Sequence, residues 1–217
     1  MSTDGDATTL VLYYHPFTRA AAVVPMLEEA GCTYALKFLD LTKGEHKQDP
    51  LLAKNRMGKL PTLIDQDVVI TESAAIALYL ADRYGGGKLA PALDDPARGT
   101  YFRWACFSPS VLEPAAYAAS ANWEYNAGSA GWGRLQDVLD TISAGLAEDA
   151  SGPWLLGERF SMADMILGGT LRFLMMFKMV EARPEYTAYV DALSARPSHV
   201  RATAINQQVV EERGLRR

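Results

Sequence analysis

Residues 58–85 hold the side chains of this 217-residue chain whose types and order point to chemistry. Pro61 falls within a run of strand-forming residues, where it cannot donate a ladder hydrogen bond. Leu60 and Pro61 are therefore predicted to form a bend or an edge open to another extended backbone. Ser73 is predicted to lie at a helix N-terminus, where amide groups and the helix dipole attract a carboxylate. These features indicate ligand binding, but an edge strand followed by a well-capped helix accounts for the same spacing without a ligand.

The same segment is predicted to fold as strand, turn, strand and helix. Residues 60–64 and 68–71 are short runs rich in β-forming residues, separated by a polar connection of hairpin length. Thr71 is the predicted N-cap of the helix that follows, and Gly85 is its predicted stop.

Upstream of this segment, the hydrophobic pattern predicts a strand over residues 10–14, a helix over residues 19–30 and a strand over residues 34–39. Pro25 is expected to kink the helix because it removes one backbone hydrogen bond. Together with the later hairpin and helix, these elements follow the βαβαββα order of a thioredoxin-like domain.

A second domain is predicted downstream and is entirely helical. Residues 85–95 are rich in glycine and proline and form the predicted linker between domains at residues 1–86 and 94–217. Pro109 and Pro114 are expected to interrupt the first long helix, and the helix over residues 165–180 is apolar on nearly every face. The fold class is therefore α/β plus all-α, and residues 209–217 are expected to form a mobile charged tail.

The composition argues against nucleic-acid binding and against a membrane span. The formal net charge is −5, which gives no basic footprint, and no apolar run is long enough to cross a bilayer. Residues 1–9 are polar and acidic, without the pattern of a signal peptide, which predicts a cytoplasmic protein. Cys32 and Cys106 are far apart and indicate neither a metal site nor a redox pair. The expected partner is a small molecule or a protein.

Two short motifs carry a resemblance to a known family. Residues 57–63, MGKLPTL, and residues 72–76, ESAAI, resemble the paired glutathione-binding motifs of the cytosolic glutathione S-transferases, including bacterial, phi-, theta- and beta-like members. The resemblance implies that the Leu60–Pro61 peptide is cis and that Leu60 pairs through its backbone with the cysteinyl of glutathione. It also implies that Glu72 and Ser73 hold the γ-glutamyl end. It covers most of residues 9–85 and returns, more weakly, near residues 151–180, where it implies a structural role for Asp164.

A basic segment extends the resemblance. Residues 44–47, GEHK, resemble a phi-type segment in which the histidine and lysine meet the glycine carboxylate of glutathione, which implies that role for His46 and Lys47. Lys59 lies twelve positions after Lys47, as in that pattern. Cations suit a free carboxylate because charge-assisted hydrogen bonds are stronger than neutral ones. Without the resemblance, a run of this kind is usually a solvated loop.

The family keeps the hydroxyl that activates the thiol in the loop after the first strand, and this sequence leaves its identity open. Against bacterial members that end their first helix in LEExG, Thr18 takes the place of the serine. Counted without gaps against the phi-type pattern, Phe17 takes that place instead. Tyr14, at the strand end where other classes carry a catalytic tyrosine, is the second candidate. Thr18 as a helix cap and Tyr14 as a sheet-packing residue are the structural alternatives.

The resemblance implies a glutathione transferase in which the thiolate attacks a small hydrophobic electrophile. Glutathione is then a cosubstrate, with no cofactor and no metal, and the family implies a homodimer. One alternative is a non-catalytic protein of the same fold that binds glutathione or apolar ligands, which Phe17 at the hydroxyl position would favour. Another is a glutathione-dependent peroxidase or isomerase. The aromatic residues of the second domain either line an electrophile pocket or pack helices: Tyr101, Trp104, Phe107, Tyr117 and Trp123.

Overall fold

The computed structural model describes residues 10–149 and 151–216. Residues 1–9, on which the expectation of a cytoplasmic protein without a signal peptide rests, lie outside the described residues. The chain divides into two compact units, one comprising Met1–Leu80 with Pro197–Arg217 and the other Ala81–Arg196.

The first unit is built on a mixed sheet of four strands: β1 (Leu10–Tyr14), β2 (Tyr34–Phe38), β3 (Thr62–Asp65) and β4 (Val68–Thr71). Their spatial order is β2-β1-β3-β4. β1 runs parallel to β2 and antiparallel to β3, which pairs antiparallel with β4. The central β1 is almost wholly buried, whereas β4 at the sheet edge exposes Val68 and Val69. This is the predicted thioredoxin-like arrangement.

The helices of this unit are shorter than predicted. The expected helix over residues 19–30 is divided into a 3-10 turn at Arg19–Ala22 and helix α1 (Val24–Glu29). Pro25 lies in the first turn of α1, where its missing N–H removes no helical hydrogen bond, so a break precedes it rather than a kink at it. Between β2 and β3 the expected helix is a 3-10 turn at Glu45–Lys47. Helix α2 (Ser73–Tyr84) follows β4.

The second unit is helical, with five helices in the described residues: α3 (Ala97–Phe107), α4 (Glu113–Ser120), α5 (Leu135–Glu148), α6 (Met162–Met176) and α7 (Pro184–Ser194). A π-helical turn at Ser108–Leu112 separates α3 from α4 and carries Pro109. This confirms the predicted interruption. No helix within the described residues has both the length and the apolar character needed to cross a membrane.

The start of α6 is fixed by a closed polar network. Ser161 and Asp164 form a capping box, and Asp164 also accepts hydrogen bonds from Leu155 N at 2.9 Å and from the Tyr189 hydroxyl at 3.0 Å. Asp164 is fully buried, and burial raises the pKa of its carboxyl despite these hydrogen bonds. The expected structural role of Asp164 agrees with this geometry.

Helix α8 (Pro197–Glu212) belongs to the first unit and packs against α1. Arg201 Nε donates to Glu28 Oε2 at 2.6 Å, and Ser198 Oγ donates to the carboxylate of Glu29. Two expectations change here. Residues 209–212 are helical rather than part of a mobile tail, and residues 197–217, expected to belong to the second domain, group with the sheet.

Candidate functional site

Strand pairing brings the predicted site segments to one end of the sheet. Thr62, the first residue of β3, pairs with Tyr13 on one side and with Thr71 on the other. Pro61 therefore immediately precedes β3, at the end of the sheet where β1 ends. Glu72, which follows β4, lies at the same end. Neighbouring strands lie about 4.7–4.9 Å apart, so the loops attached here are neighbours. We call this part of the first unit the site edge; it comprises residues 15–18, 44–47, 57–61 and 72–73.

The Leu60–Pro61 peptide is cis, as expected. Pro61 is buried, and the Leu60 side chain packs against a core cluster that includes Tyr13 and Leu51. Lys59, the residue before Leu60, is exposed. The backbone at Leu60 is thus held against the core beside an exposed cation.

Asn55 organises the loop that leads to Pro61 and was not among the predicted site residues. Its buried side-chain amide donates to the Lys59 carbonyl at 3.0 Å and to Thr62 Oγ1 at 3.1 Å. Its Oδ1 accepts from Met57 N at 3.1 Å. One side chain therefore fixes both ends of the loop. The only sequence signal was an asparagine before a glycine-containing turn.

The basic segment lies against the same loop. Lys47 Nζ donates to the Met57 carbonyl oxygen at 2.6 Å. Gly58 has φ +56°, and a Cβ at this position would lie 2.4 Å from the His46 carbonyl oxygen, so a side chain cannot replace it without a shift. His46 Nδ1 is buried and has no hydrogen-bond partner among the described residues. The structure thus brings His46 and Lys47 to the Lys59 loop.

Glu72 and Ser73 form the junction between β4 and α2. Thr71, the predicted N-cap, is the last residue of β4, and the Glu72 carbonyl accepts the helical bond from Ile76 N at 2.9 Å. Glu72 has φ +65°, a left-handed conformation that is strained for a residue with a side chain; such strain clusters at functional sites. Glu72 is exposed and Ser73 is partly exposed. Their side chains make no hydrogen bond within the described part of the chain.

The two candidate hydroxyls, those of Thr18 and Tyr14, donate hydrogen bonds to different acceptors. Thr18 lies in the loop after β1, where its Oγ1 donates to the His15 carbonyl at 2.8 Å and accepts from Ala20 N at 3.2 Å. Tyr14 is fully buried, its hydroxyl donates to Asn206 Oδ1 of α8, and burial raises its pKa well above the usual value. Thr18 is thus at the site edge, whereas the Tyr14 hydroxyl points into the core of the unit.

His15 and Phe17 also belong to this loop, and their rings meet edge to face with centroids 5.6 Å apart. The His15 ring also contacts Phe38 at 5.3 Å, and His15 Nδ1 accepts a hydrogen bond from Phe17 N at 3.2 Å. His15 was not among the predicted site residues. Its partly buried neighbour Phe17 presents an aromatic surface at the site edge.

Clusters of metal ligands and protein thiols are two other kinds of group that could carry chemistry. Across residues 10–149 and 151–216, no group of three or more His, Cys, Asp or Glu side chains is placed to hold a metal ion. Burial raises the pKa of Cys32 to about 11, which suppresses its thiolate at neutral pH. The site edge instead offers cations, a helix start and an open backbone.

The aromatic candidates of the second unit separate into two groups. Tyr101 and Trp104 are fully buried between helices, so they pack the core. Tyr117 and Trp123 are 42% and 60% exposed. Phe107 is intermediate and contacts Trp104 with ring centroids 5.3 Å apart. Only the exposed pair and Phe107 present an aromatic surface.

Comparison with known proteins places this chain in one family. Family models described as "Glutathione S-transferase, N-terminal domain" and "Glutathione S-transferase, C-terminal domain" match residues 8–82 and 114–197. Glutathione S-transferase 3 of Zea mays is 30% identical over 219 residues, covering 90% of this chain and 93% of that protein. Glutathione S-transferase APIC of Nicotiana tabacum is 28% identical over 200 residues, covering 85% of this chain and 92% of that protein.

Solved structures agree with these matches. The glutathione transferase URE2P6 of Phanerochaete chrysosporium, in complex with oxidized glutathione, has a TM-score of 0.75 at 26% identity and covers 93% of this chain and 98% of its own. A glutathione transferase of Methylococcus capsulatus strain Bath has a TM-score of 0.76 at 28% identity and covers 92% and 100%. The chain therefore belongs to the cytosolic glutathione S-transferase superfamily of enzymes.

Proposed function

We propose that this enzyme conjugates the thiolate of glutathione to small hydrophobic electrophiles, a detoxifying reaction that needs no cofactor or metal. The observation that carries the proposal is the site edge, where the Leu60 backbone and the Glu72–Ser73 helix start meet at the pair Thr62–Thr71. An extended peptide with a carboxylate at each end matches these groups. A glutathione transferase homologue from Sulfitobacter, 26% identical with a TM-score of 0.70, was solved with bound glutathione.

Each part of glutathione has a proposed partner. Leu60 pairs through its backbone with the cysteinyl residue, and Glu72 and Ser73 bind the γ-glutamyl end at the start of α2. His46, Lys47 and Lys59 bind the glycine carboxylate, because cationic donors bind carboxylates more strongly than neutral ones do. The contact of Lys47 with the Met57 carbonyl supports this grouping, since it places the ammonium beside the loop that carries Lys59.

Activation of the thiol needs only one or two well-placed donors. An unperturbed thiol has a pKa of about 8.5, and lowering it by two units corresponds to about 2.7 kcal/mol. A hydrogen bond to a charged sulfur contributes about 1.5–3 kcal/mol. We propose Thr18 as the first donor and Tyr14 as the second choice. Thr18 can turn its hydroxyl toward the sulfur because the His15 carbonyl keeps the hydrogen bond from Thr18 N at 3.1 Å.

The proposed activation is tested by titrating the thiolate absorbance of bound glutathione against pH. Thr18→Val keeps the side-chain shape and removes the donor, and is expected to raise the thiol pKa by about one to two units. Tyr14→Phe is the matched variant and is expected to leave the pKa unchanged. If only Tyr14→Phe shifts it, Tyr14 takes the role. If the parent complex titrates like free glutathione, the chain binds glutathione without activating it.

Turnover assays test the reaction class. Consumption of a generic aromatic electrophile is expected, together with a lower rate near neutral pH for Thr18→Val. Hydroperoxide consumption without conjugation would instead support a peroxidase. Phe107, Tyr117 and Trp123 are the proposed aromatic contacts of the electrophile.

The proposal extends to a cytoplasmic homodimer. Val68 and Val69 on the edge strand, Met57 in the first unit and Phe102 in the second are large apolar residues with more than a third of their surface exposed. A partner subunit would remove such surface from water.

Both cysteines are free, which suits a reducing compartment. Light scattering is expected to give the mass of two chains; the mass of one chain would exclude the dimer.

A further inference from the structure

His15 stands two residues beyond the last β1–β3 pair, Tyr13–Thr62, and Leu60 stands two residues before it on the neighbouring strand. Both residues therefore leave the sheet at the same end. Because adjacent strands are about 4.7–4.9 Å apart, the His15 side chain starts close to the backbone proposed to hold the cysteinyl of glutathione.

A backbone hydrogen bond fixes the tautomer of this histidine. Phe17 N donates to His15 Nδ1 at 3.2 Å, so Nδ1 carries a lone pair and the proton of the neutral ring is on Nε2. Burial lowers the pKa of His15, and the nearby Asp40 carboxylate opposes this with a smaller effect. His15 is therefore a neutral Nε2–H donor at neutral pH.

This donor has no partner in the described part of the chain. His15 is 7% exposed, with its ring packed on Phe17 and Phe38, and among residues 10–149 and 151–216 its hydrogen bonds are those accepted by Nδ1 and by its carbonyl oxygen. Thr18 and Tyr14 direct their protons to His15 O and Asn206. Nε2–H is thus the uncommitted donor among these three side chains.

We propose that His15 is a further catalytic residue, which donates from Nε2 to the sulfur of bound glutathione beside the Thr18 hydroxyl. The inference rests on the proposed conjugation reaction. The thiol proton leaves to water, a carbon–sulfur bond forms as the bond to the leaving group of the electrophile breaks, and the leaving group departs with the bonding pair. His15 keeps its proton throughout, because Nδ1 is held by Phe17 N and cannot act as a base.

The test combines a variant with a direct view of the imidazole. In His15→Phe, which keeps a ring against Phe17 and Phe38, the pKa of the bound thiol is expected to rise by about one unit, equivalent to a tenfold smaller thiolate fraction below the pKa. Affinity for S-methylglutathione, which has no ionisable thiol, is expected to stay the same. A lowered thiol pKa in the parent that His15→Phe leaves unchanged would overturn the role of His15 while leaving the proposed function intact. A parent thiol that titrates as in free glutathione would instead remove the proposed function.

A second measurement needs no variant. In protein with nitrogen-15 histidine, glutathione is expected to shift the Nε2 resonance of His15 while Nδ1 keeps the signature of an unprotonated nitrogen. S-methylglutathione serves as the matched ligand without a thiolate. An equal Nε2 shift with both ligands, or none with glutathione, would overturn the proposal even if His15→Phe fails to fold.

Discussion

Two helices of this protein begin with an acidic residue and a serine, and the two starts have opposite environments. At α6, Asp164 is fully buried and accepts from Ser161 N at 2.8 Å, as well as from Leu155 N and the Tyr189 hydroxyl. At α2, Glu72 is exposed, has φ +65°, and makes no side-chain hydrogen bond within residues 10–149 and 151–216. The same residue types form a hydrogen-bond network at the start of α6 and lack side-chain partners at the start of α2.

The difference separates a stabilising cap from the proposed binding site. The first amide groups of any helix lack helical partners and must be satisfied by side chains, water or a ligand. At α6, Met162 N donates to the Leu89 carbonyl at 2.8 Å and the Ser161 side chain accepts from Asp164 N, so these amide groups are satisfied internally and are not available to a ligand. The α2 start keeps its groups open and adopts a conformation that costs about 1–3 kcal/mol, which is tolerated where function requires it. Stability and affinity should therefore respond to different substitutions at the two helix starts.

The largest expected effect is on stability, from Asp164→Ala. Removing the carboxylate leaves the buried N–H groups of Leu155 and Ser161 and the Tyr189 hydroxyl without their acceptor, each at a cost of about 1–3 kcal/mol. The free energy of unfolding, from urea denaturation, is expected to fall by about 3 kcal/mol or more. Tyr189→Phe, which deletes one donor to the same carboxylate, should cost only about 1 kcal/mol. A loss below that of Tyr189→Phe would mean that the network does not hold α6.

At the site edge, Asn55→Ala is expected to affect stability and affinity together. The amide has three partners in the loop before Pro61, and leaving them unpaired should lower the unfolding free energy by about 1–3 kcal/mol. Because the loop positions Leu60, the dissociation constant for glutathione measured by calorimetry should also rise. Lys54→Ala, on an exposed neighbour without these contacts, is the control. Unchanged affinity in Asn55→Ala would show that the loop does not position the ligand.

Ser73→Ala and Lys47→Met should reduce affinity with little change in stability. Each removes a proposed contact to a charged end of glutathione, worth about 1.5–3 kcal/mol, or roughly a 10- to 150-fold rise in the dissociation constant. Ser161→Ala is the matched control at the other helix start, and should lower stability while leaving glutathione binding alone. If Ser73→Ala and Ser161→Ala changed stability and glutathione affinity equally, the two helix starts would not differ in function.

The smallest expected effect is a gain in the free energy of unfolding. Glu72→Gly relieves the left-handed strain and should raise the unfolding free energy by up to about 1 kcal/mol, while weakening glutathione binding. Thermal denaturation with and without glutathione measures both quantities. A variant that loses stability would show that Glu72 has a structural partner in the folded protein.

Local signals predicted the outline of both helix starts. The Ser161–Asp164 pattern and the strand–turn–strand–helix order around Pro61 depend on neighbours within a few residues, so the sequence contains what is needed. The residue type of Thr71 predicts a helix cap, but pairing with Thr62 extends β4 through Thr71, and α2 begins at Ser73. Tertiary pairing decided a boundary that side-chain type alone does not.

Long-range contacts account for what the sequence did not reveal. The end of α8 is polar and charged, so residues 209–212 resembled a tail; their helix is held through Arg201 and Ser198, whose partners on α1 lie more than 160 residues earlier. Asn55 became visible only through its partners at residues 57, 59 and 62. The proposed role of His15 depends on which hydroxyl and N–H donors already have acceptors. Side-chain geometry determines this, and residue order does not.

The contact between Tyr14 and Asn206 joins residues separated by 192 positions. During synthesis the sheet residues leave the ribosome first, but the helix that covers Tyr14 is made last. The first unit therefore cannot complete its native packing co-translationally, and the helical unit of Ala81–Arg196 emerges whole before it does. Nascent chains stalled before α8 should hold a protease-sensitive sheet and an already protected helical unit. The unit that we propose binds glutathione is made first but is the last to become native.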